Sequence, residues 1–245
     1  MTSQVSRRTA VFAVVLAALS APAAGGPSSQ VAWTLETVRL VRSGDARKGQ
    51  TLQGDCSGCH GETGDTDTPD VPNLAGQEPL YIFKQLQDYK SKSRESPIMG
   101  EAVATLSDRD MADLASFYAA QKRSHAAGER RPERAISNLV SLGDGLRLIP
   151  ACDACHGRRG DGNPSFYGMP ALRNQKEVDL SYQLTTFRSG ERGNDVYRVM
   201  RDISKRLTDA EISGLAAYYA GATGKPAGSA AGVPAEKSPL TQAKR

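Results

Sequence analysis

Two short segments of the chain repeat one order and spacing of two cysteines and a histidine, at an offset of 96 residues. The residues are Cys56, Cys59, His60, Cys152, Cys155 and His156. Cys-x-x-Cys-His is the attachment signature of c-type haem. Two thiols three residues apart on a helix can reach the two vinyl groups at one porphyrin edge, and the following imidazole can bind the iron. The motifs predict two covalently bound haem c groups, one at each motif.

Two other chemistries use paired cysteines, and the sequence favours neither of them. The following histidine and a helical, strand-poor context argue against a thioredoxin-like redox disulfide. Zinc sites made from two Cys-x-x-Cys pairs have the pairs about 15–20 residues apart, whereas 92 residues lie between Cys59 and Cys152. All four cysteines and two of the three histidines belong to the motifs. The third histidine, His125, is predicted to be a surface residue.

Two methionines at equivalent positions are predicted to complete the iron ligation. Met99 lies 39 residues after His60, and Met200 lies 44 residues after His156. Ligation by His and Met raises the haem potential and suits electron transfer. Each of the two methionines is expected in a loop-like stretch just before a closing helix. The other methionines of the mature chain are predicted to be packing residues: Met111 and Met169.

An internal repeat supplies the framework around both motifs. Residues 99–119 align without gaps with residues 200–220, at an offset of 101. Between each motif and this segment the offset is 98, as for Gln77 with Gln175 and for Gln85 with Gln183. The small changes of offset place short insertions in loops, which tolerate them. The sequence therefore contains a duplicated domain of roughly 90 residues.

The last element of each copy has the apolar spacing of one helix face, i, i+3, i+4, i+7. Ser107 with Asp110, and Thr208 with Glu211, have the spacing of a capping box at the start of that helix. The apolar positions are Met111, Leu114, Ala115 and Tyr118, and Ile212, Leu215, Ala216 and Tyr219.

Two further helices are predicted in each copy. A middle helix is indicated by the apolar positions within residues 80–86 and residues 180–187. A first helix is expected to run into each cysteine motif, from about Asp45 and from about Asp144. No alternating run is long enough to predict a sheet. The predicted fold class is therefore all-α.

The N-terminus has the order of a secretory signal peptide over residues 1–23. Arg7 and Arg8 precede an apolar run over residues 10–19, and residues 21–23 offer small side chains at a cleavage site. Such a run is too short to cross a bilayer, which takes about 20 residues. We expect an exported protein, soluble or peripheral to the membrane in a compartment such as the periplasm, with no transmembrane anchor after cleavage.

The charge balance argues against a nucleic-acid partner. Without residues 1–23 the chain has 29 basic and 27 acidic residues, a net charge of +2. Nucleic-acid-binding domains instead carry a strong basic patch. The remaining segments are predicted as an N-terminal extension 24–44, a first domain 45–120, a linker 121–141, a second domain 142–221 and a disordered tail 222–245.

With these residues assembled, the stretch from about 45 to 221 resembles the cytochrome c4 family, di-haem proteins made of two class I cytochrome c domains. The likeness rests on residues 72–77 and 85–86 in the first half, and on residues 151–163, 183–184, 187–195 and Met200 in the second. It implies two tandem cytochrome c-like domains in a pseudo-twofold arrangement, each holding one haem c. It also implies that the carbonyls of Pro72 and Pro170 orient the ligand histidines.

The resemblance implies an exported di-haem c-type cytochrome that transfers single electrons between periplasmic or membrane-bound redox partners, such as a terminal oxidase. On this interpretation the protein is an electron carrier and not an enzyme. Two alternatives stay open: a cytochrome subunit of a dehydrogenase complex, and a di-haem redox enzyme such as a thiosulfate dehydrogenase. An enzyme would need an iron with a displaceable or unusual ligand, and the chain has no spare cysteine.

Overall fold

A computed structural model describes residues 33–123 and 133–221. Within these ranges the secondary structure is helical, without a strand, as the sequence predicts. The predicted signal peptide 1–23, the tail 222–245 and His125 lie outside the described residues. None of the described helices has the length and apolar character needed to span a membrane.

The first half of the chain folds around one apolar cluster to which α1, α4 and α6 contribute. Its helices are α1 (Leu35–Arg42), α2 (Ala46–Leu52), α3 (Gly54–His60), α4 (Pro79–Lys90), α5 (Pro97–Ala102) and α6 (Asp108–Ala120). Helix α6 lies at the centre of the cluster, with Met111 and Leu114 almost fully buried.

The second half repeats this plan around its own cluster, formed mainly by α7, α9 and α11. Its helices are α7 (Arg134–Ser141), α8 (Cys152–His156), α9 (Glu177–Ser189), α10 (Val199–Ser204) and α11 (Asp209–Ala220). Helix α7 falls within the segment predicted as a linker, and its Ile136, Leu139 and Val140 pack in this second cluster.

The closing helices begin where the sequence predicts, because both capping boxes form. The Ser107 hydroxyl accepts from the Asp110 backbone N–H, and the Asp110 carboxylate accepts from the backbone N–H of Ser107. Thr208 and Glu211 make the same reciprocal pair at the start of α11. These bonds satisfy donors that the first helical turn leaves without intrahelical partners.

The first helix of the second half differs from its prediction. In the first half, Asp45 caps α2 as expected, since its carboxylate accepts from Arg47 N at 2.9 Å. In the second half, residues 144–149 form a turn closed by paired backbone bonds between Asp144 and Ile149, and α8 begins only at Cys152. Pro150 lacks the N–H and disfavours helical geometry before it, so this segment cannot extend the helix.

The two halves are joined by a reciprocal set of hydrogen bonds. Gln77 Nε2 donates to Ala171 O at 2.9 Å, and Gln77 Oε1 accepts from Ala171 N at 2.7 Å. Gln175 Nε2 donates to Asn73 O at 2.7 Å, and Gln175 Oε1 accepts from Asn73 N at 2.9 Å. Since Gln77 matches Gln175 and Asn73 matches Ala171 at the same offset, the contact has the pseudo-twofold symmetry that the family resemblance implies.

The N-terminal extension packs on both halves. Val41 of α1 is buried in the first cluster. Arg42 at the end of α1 lies over the ring of Tyr167 in the second half, 5.0 Å from its centroid, and donates to its hydroxyl at 3.0 Å. Trp33 lies against Gly168 beside it. The extension therefore bridges the two halves, a role that the sequence does not reveal.

Candidate functional site

Each motif histidine ends a helix and is held by one backbone carbonyl. His60 is the last residue of α3, and its Nδ1 donates to Pro72 O at 2.9 Å. His156 is the last residue of α8, and its Nδ1 donates to Pro170 O at 2.9 Å. Both imidazoles are buried, with 7% of their surface exposed. The two halves present the same histidine in the same setting.

The tautomer of each histidine follows from this contact. A carbonyl oxygen can only accept a hydrogen bond, so Nδ1 carries the proton and Nε2 keeps its lone pair. Burial lowers the pKa of His60 and of His156, although the bond to the proline carbonyl opposes the shift. The neutral imidazole with an unprotonated Nε2 is the form that binds a metal.

A glycine after each histidine lets the chain turn sharply away from the helix. Gly61 has φ +78° and Gly157 has φ +77°, values that favour glycine. A methyl group on Gly61 would lie 2.1 Å from Asp65 O, and one on Gly157 would lie 1.9 Å from Gly162 O. These turns lead into the loops that bring the proline carbonyls back to the imidazoles.

The first cysteine of each motif packs against the apolar cluster of its own half. Cys56 and Cys152 are half-buried there, and each thiol lies beside a tyrosine hydroxyl, that of Tyr118 or Tyr219. Burial raises the pKa of the Cys56 thiol, and it raises the pKa of Cys152 to about 11. All four motif cysteines are free thiols, and Cys59 is exposed.

The tyrosines were predicted from the sequence only as packing residues. Their rings are buried in the two clusters as expected, but their hydroxyls face the motif cysteines. Tyr118 and Tyr219 occupy equivalent repeat positions. This repetition is the one feature of the sequence that could have indicated a role beyond packing.

Met99 and Met200 lie in short helices, where the sequence led us to expect loops. Met99 is the third residue of α5, and its backbone N donates to the capping Ser96 hydroxyl at 3.3 Å. Met200 is the second residue of α10. Both side chains are half-buried, whereas Met111 is wholly buried within the first apolar cluster. Met99 and Met200 thus lie outside the packed clusters, at equivalent positions of the two halves.

The geometry disfavours a shared zinc site. Across residues 33–123 and 133–221, no three or more His, Cys, Asp or Glu side chains are grouped so that they could hold a metal ion. Each half instead carries one buried imidazole with a free Nε2, two thiols and one half-buried thioether. This donor set fits the covalent attachment and axial ligation of a c-type haem.

Comparison with known proteins also indicates a c-type cytochrome. A family model described as Cytochrome c matches residues 46–120. Cytochrome c4 of Pseudomonas aeruginosa is 36% identical over 187 residues, which are 73% of this chain and 89% of that protein. The thiosulfate dehydrogenase electron acceptor of Stutzerimonas stutzeri is 35% identical over 169 residues, 67% of this chain and 77% of that protein.

A solved structure extends the likeness to the fold. The crystal structure of reduced recombinant cytochrome c4 from Pseudomonas stutzeri matches with a TM-score of 0.67 and 34% identity. The match covers 73% of this chain and 99% of that one. The two tandem halves described above therefore correspond to the whole of that protein.

Proposed function

This chain belongs to the cytochrome c4 family and is a di-haem, electron-transferring c-type cytochrome, and from that premise we propose that it is an exported electron carrier rather than an enzyme. The observation that carries the proposal is the pair of equivalent histidines. Each follows two cysteines, is buried, and has its Nδ1 proton held by a proline carbonyl, which leaves Nε2 to bind iron.

The haem-binding residues are proposed as one set for each half. In each set the two thiols would hold the porphyrin through thioether bonds, and one histidine and one methionine would bind the iron. The first set is Cys56, Cys59, His60 and Met99, and the second is Cys152, Cys155, His156 and Met200. When bound, each haem supplies an iron that changes between Fe(II) and Fe(III) by one electron.

The surrounding residues keep this ligation fixed during electron transfer. The carbonyls of Pro72 and Pro170 prevent the imidazoles from rotating and make Nε2 more basic. The thioether sulfurs of Met99 and Met200 would bind the iron as well, which would leave no ligand position for a substrate. Iron held by two protein ligands would suit transfer of electrons and disfavour catalysis at the metal.

The donor and acceptor are proposed to be other redox proteins, in the periplasm or at the membrane surface. One similar protein is named as an electron acceptor of thiosulfate dehydrogenase, so a dehydrogenase of this type is a candidate donor. The same resemblance favours a second candidate function, that of a cytochrome subunit serving a thiosulfate dehydrogenase. The other alternative is that the chain is itself a di-haem enzyme of this kind. Such an enzyme would need an unusual iron ligand, and all four cysteines of this chain are already used by the motifs.

A redox titration of the purified protein, followed optically, tests the proposal. Intact mass and a pyridine haemochrome assay should count two haem groups in each molecule, and the reduced spectrum should show low-spin His/Met features. Added thiosulfate alone should not be turned over, whereas a reduced donor protein should reduce both haems. Catalytic turnover of thiosulfate by the purified protein would establish the enzyme instead.

A further inference from the structure

Four polar side chains meet between the two domains and form what we call the arginine–glutamine cluster: Arg94, Gln85, Arg192 and Gln183. Arg94 donates from Nη1 to Gln85 Oε1 at 2.7 Å and from Nη2 to Gln183 Oε1 at 3.1 Å. Arg192 donates from Nη1 to Gln183 Oε1 at 2.5 Å and from Nη2 to Gln85 Oε1 at 3.2 Å. Each guanidinium is therefore bound by a glutamine of its own domain and by one of the other domain.

The cluster follows the pseudo-twofold symmetry of the molecule. Arg94 and Arg192 are 98 residues apart, as are Gln85 and Gln183. Each guanidinium also lies over an aromatic ring of its own domain: Arg94 is 4.8 Å from the centroid of Tyr89, and Arg192 is 4.3 Å from that of Phe187. Hydrogen bonds and ring contacts together hold the two cations next to each other at the domain boundary.

Two like charges at this distance repel, and the glutamine oxygens that accept from both guanidiniums are uncharged. Burial and the neighbouring Arg94 charge lower the pKa of Arg192. The remaining hydrogen bonds of Arg192 go to Asn194 Oδ1 at 3.0 Å and to the Tyr81 hydroxyl at 3.3 Å. Neutral oxygens satisfy the N–H donors, but they leave the charge of the pair without an equal counter-charge.

The carboxylates near the cluster do not balance it. Asp88 is buried and ion-paired with Lys84. Asp179 interacts with both arginines, and a single carboxylate cannot offset two guanidinium charges. The described residues around the boundary therefore leave an excess of positive charge that an anionic group could offset.

The cluster also lies close to the haem sites. Asp179 accepts from Gln183 of the cluster at 2.8 Å, and it is near enough to His60 to interact electrostatically with it. Tyr81 is the repeat partner of Asp179 and accepts from Arg192. His156 is the repeat equivalent of His60 in the second half, at an offset of 96 residues.

We propose that Arg94 and Arg192 form one shared cationic site for the carboxylate groups of both haems, so that each arginine acts on the reduction potentials of both. This inference rests on the proposed function. A positive charge near a redox iron stabilises the reduced form, whose net charge is lower, and so raises the potential. Because each guanidinium is bound to glutamines of both domains, removing one of them disturbs the environment of both irons.

Single substitutions with an optical redox titration test the shared site. In Arg94→Gln and in Arg192→Gln, both one-electron waves should move to lower potential, and in the double variant they should move further. If the two haems titrate together, the combined wave should move without splitting. Arg94→Lys, which keeps the charge, should return both potentials toward those of the wild type.

An arginine of the helix that carries Gln183 provides the matched control. Arg188 of α9 pairs with the exposed Asp209 at 2.6 Å, and Arg188→Gln should leave both potentials unchanged. The shared site is overturned if each cluster variant shifts only one wave, or if neither wave moves more than in this control. A fall in both potentials in Arg188→Gln of the size seen in Arg94→Gln would also overturn it.

A second variant covers the case in which loss of an arginine prevents folding. Gln85→Glu keeps both guanidiniums and places a carboxylate between them, so both waves should again move to lower potential; a shift of one wave contradicts the proposal. Counting the haems in the wild type and in each variant tests the proposed function separately from the shared site. Fewer than two haems in the wild type would contradict the proposed function, whereas two haems with independent shifts contradict only the shared site.

Discussion

Gln77 of the first domain makes a two-point contact with the backbone of Ala171 in the second, through its Nε2 at 2.9 Å and its Oε1 at 2.7 Å. Gln77 is buried, and the residue it holds directly follows the Pro170 whose carbonyl binds His156. The joint between the domains and the orientation of a proposed iron ligand are thus one residue apart. The reciprocal contact of Gln175 with Asn73 places the same joint next to Pro72.

Truncation of Gln77 should therefore weaken the whole molecule and not only a surface contact. Gln77→Ala leaves the N–H and C=O of Ala171 without these partners, which typically costs about 1–3 kcal/mol for a buried polar group. Urea denaturation measures the free energy of unfolding. The matched control is Gln50→Ala on the exposed face of α2, which should change it by less than about 0.5 kcal/mol. Equal costs for the two variants would contradict a structural role of this joint.

Substitution of either proposed methionine ligand should change the haem spectrum, whereas substitution of another methionine should not. In Met99→Ala and in Met200→Ala, we expect two haems per molecule, since the thioether bonds are intact, but one of them should lose its low-spin His/Met spectrum. The potential of that haem should fall, because His/Met ligation raises it. Absorption and EPR spectra of the purified variants measure this.

Met169 is the control for these variants, because it is also half-buried and lies close to Pro170. Met169→Ala should keep both low-spin signatures. An unchanged spectrum in Met200→Ala together with a changed one in Met169→Ala would show that Met169, and not Met200, is the second methionine ligand.

Acid should weaken the start of α11 through Glu211. Hydrogen bonds from Arg147, at 2.6 and 3.0 Å, lower the pKa of Glu211 to about 2. A carboxyl whose folded pKa is depressed contributes stability above its ordinary pKa of 4.5, and that contribution is lost as the pH falls toward about 2. Glu211→Gln keeps the capping-box geometry but removes the charge, so it should cost about 0.5–1 kcal/mol near neutral pH.

Thermal unfolding of wild type and Glu211→Gln between pH 2 and pH 7 checks the sign. The difference in stability should be constant above about pH 5 and should shrink steadily at lower pH. Glu101→Gln, at an exposed position of α5, serves as the control and should show a much smaller difference. A gap between wild type and Glu211→Gln that widens as the pH falls is incompatible with the Arg147 contact described above.

Local patterns in the sequence were enough to predict the closing helices and the histidine motifs. Both α6 and α11 combine a helix-spaced apolar face with a capping box, so local and long-range preferences agree. The turn at residues 144–149 was missed because the aligned repeat suggested a helix, while Pro150 acts against one. The short helices α5 and α10 were missed because six residues carry too little periodicity to be recognised.

The contacts between the domains could not be predicted from local sequence patterns. Arg94 and Gln183 are 89 residues apart in the chain, and no spacing rule links them. The repeat makes Arg94 equivalent to Arg192 at an offset of 98, but it does not show that the two side chains meet. Only the folded arrangement of the two domains brings them to the same boundary.

The bridge made by the N-terminal extension can be tested through one glycine. Gly168 has φ +72°, and a methyl group on it would lie 2.4 Å from Cζ2 of Trp33. Gly168→Ala should therefore cost both the backbone strain of a left-handed residue, about 1 kcal/mol or more, and the displacement of the Trp33 ring.

A double-mutant cycle separates these two costs. Gly190 also has a left-handed backbone, φ +84°, but a methyl group there meets nothing within 4 Å, so Gly190→Ala reports the backbone strain alone. In the wild-type background Gly168→Ala should destabilise the protein more than Gly190→Ala, by urea denaturation. In a Trp33→Ala background the two glycine substitutions should cost nearly the same, because the ring is gone. If Gly168→Ala keeps its full excess cost without Trp33, the ring does not rest on this loop, and the extension does not bridge the domains in the way described.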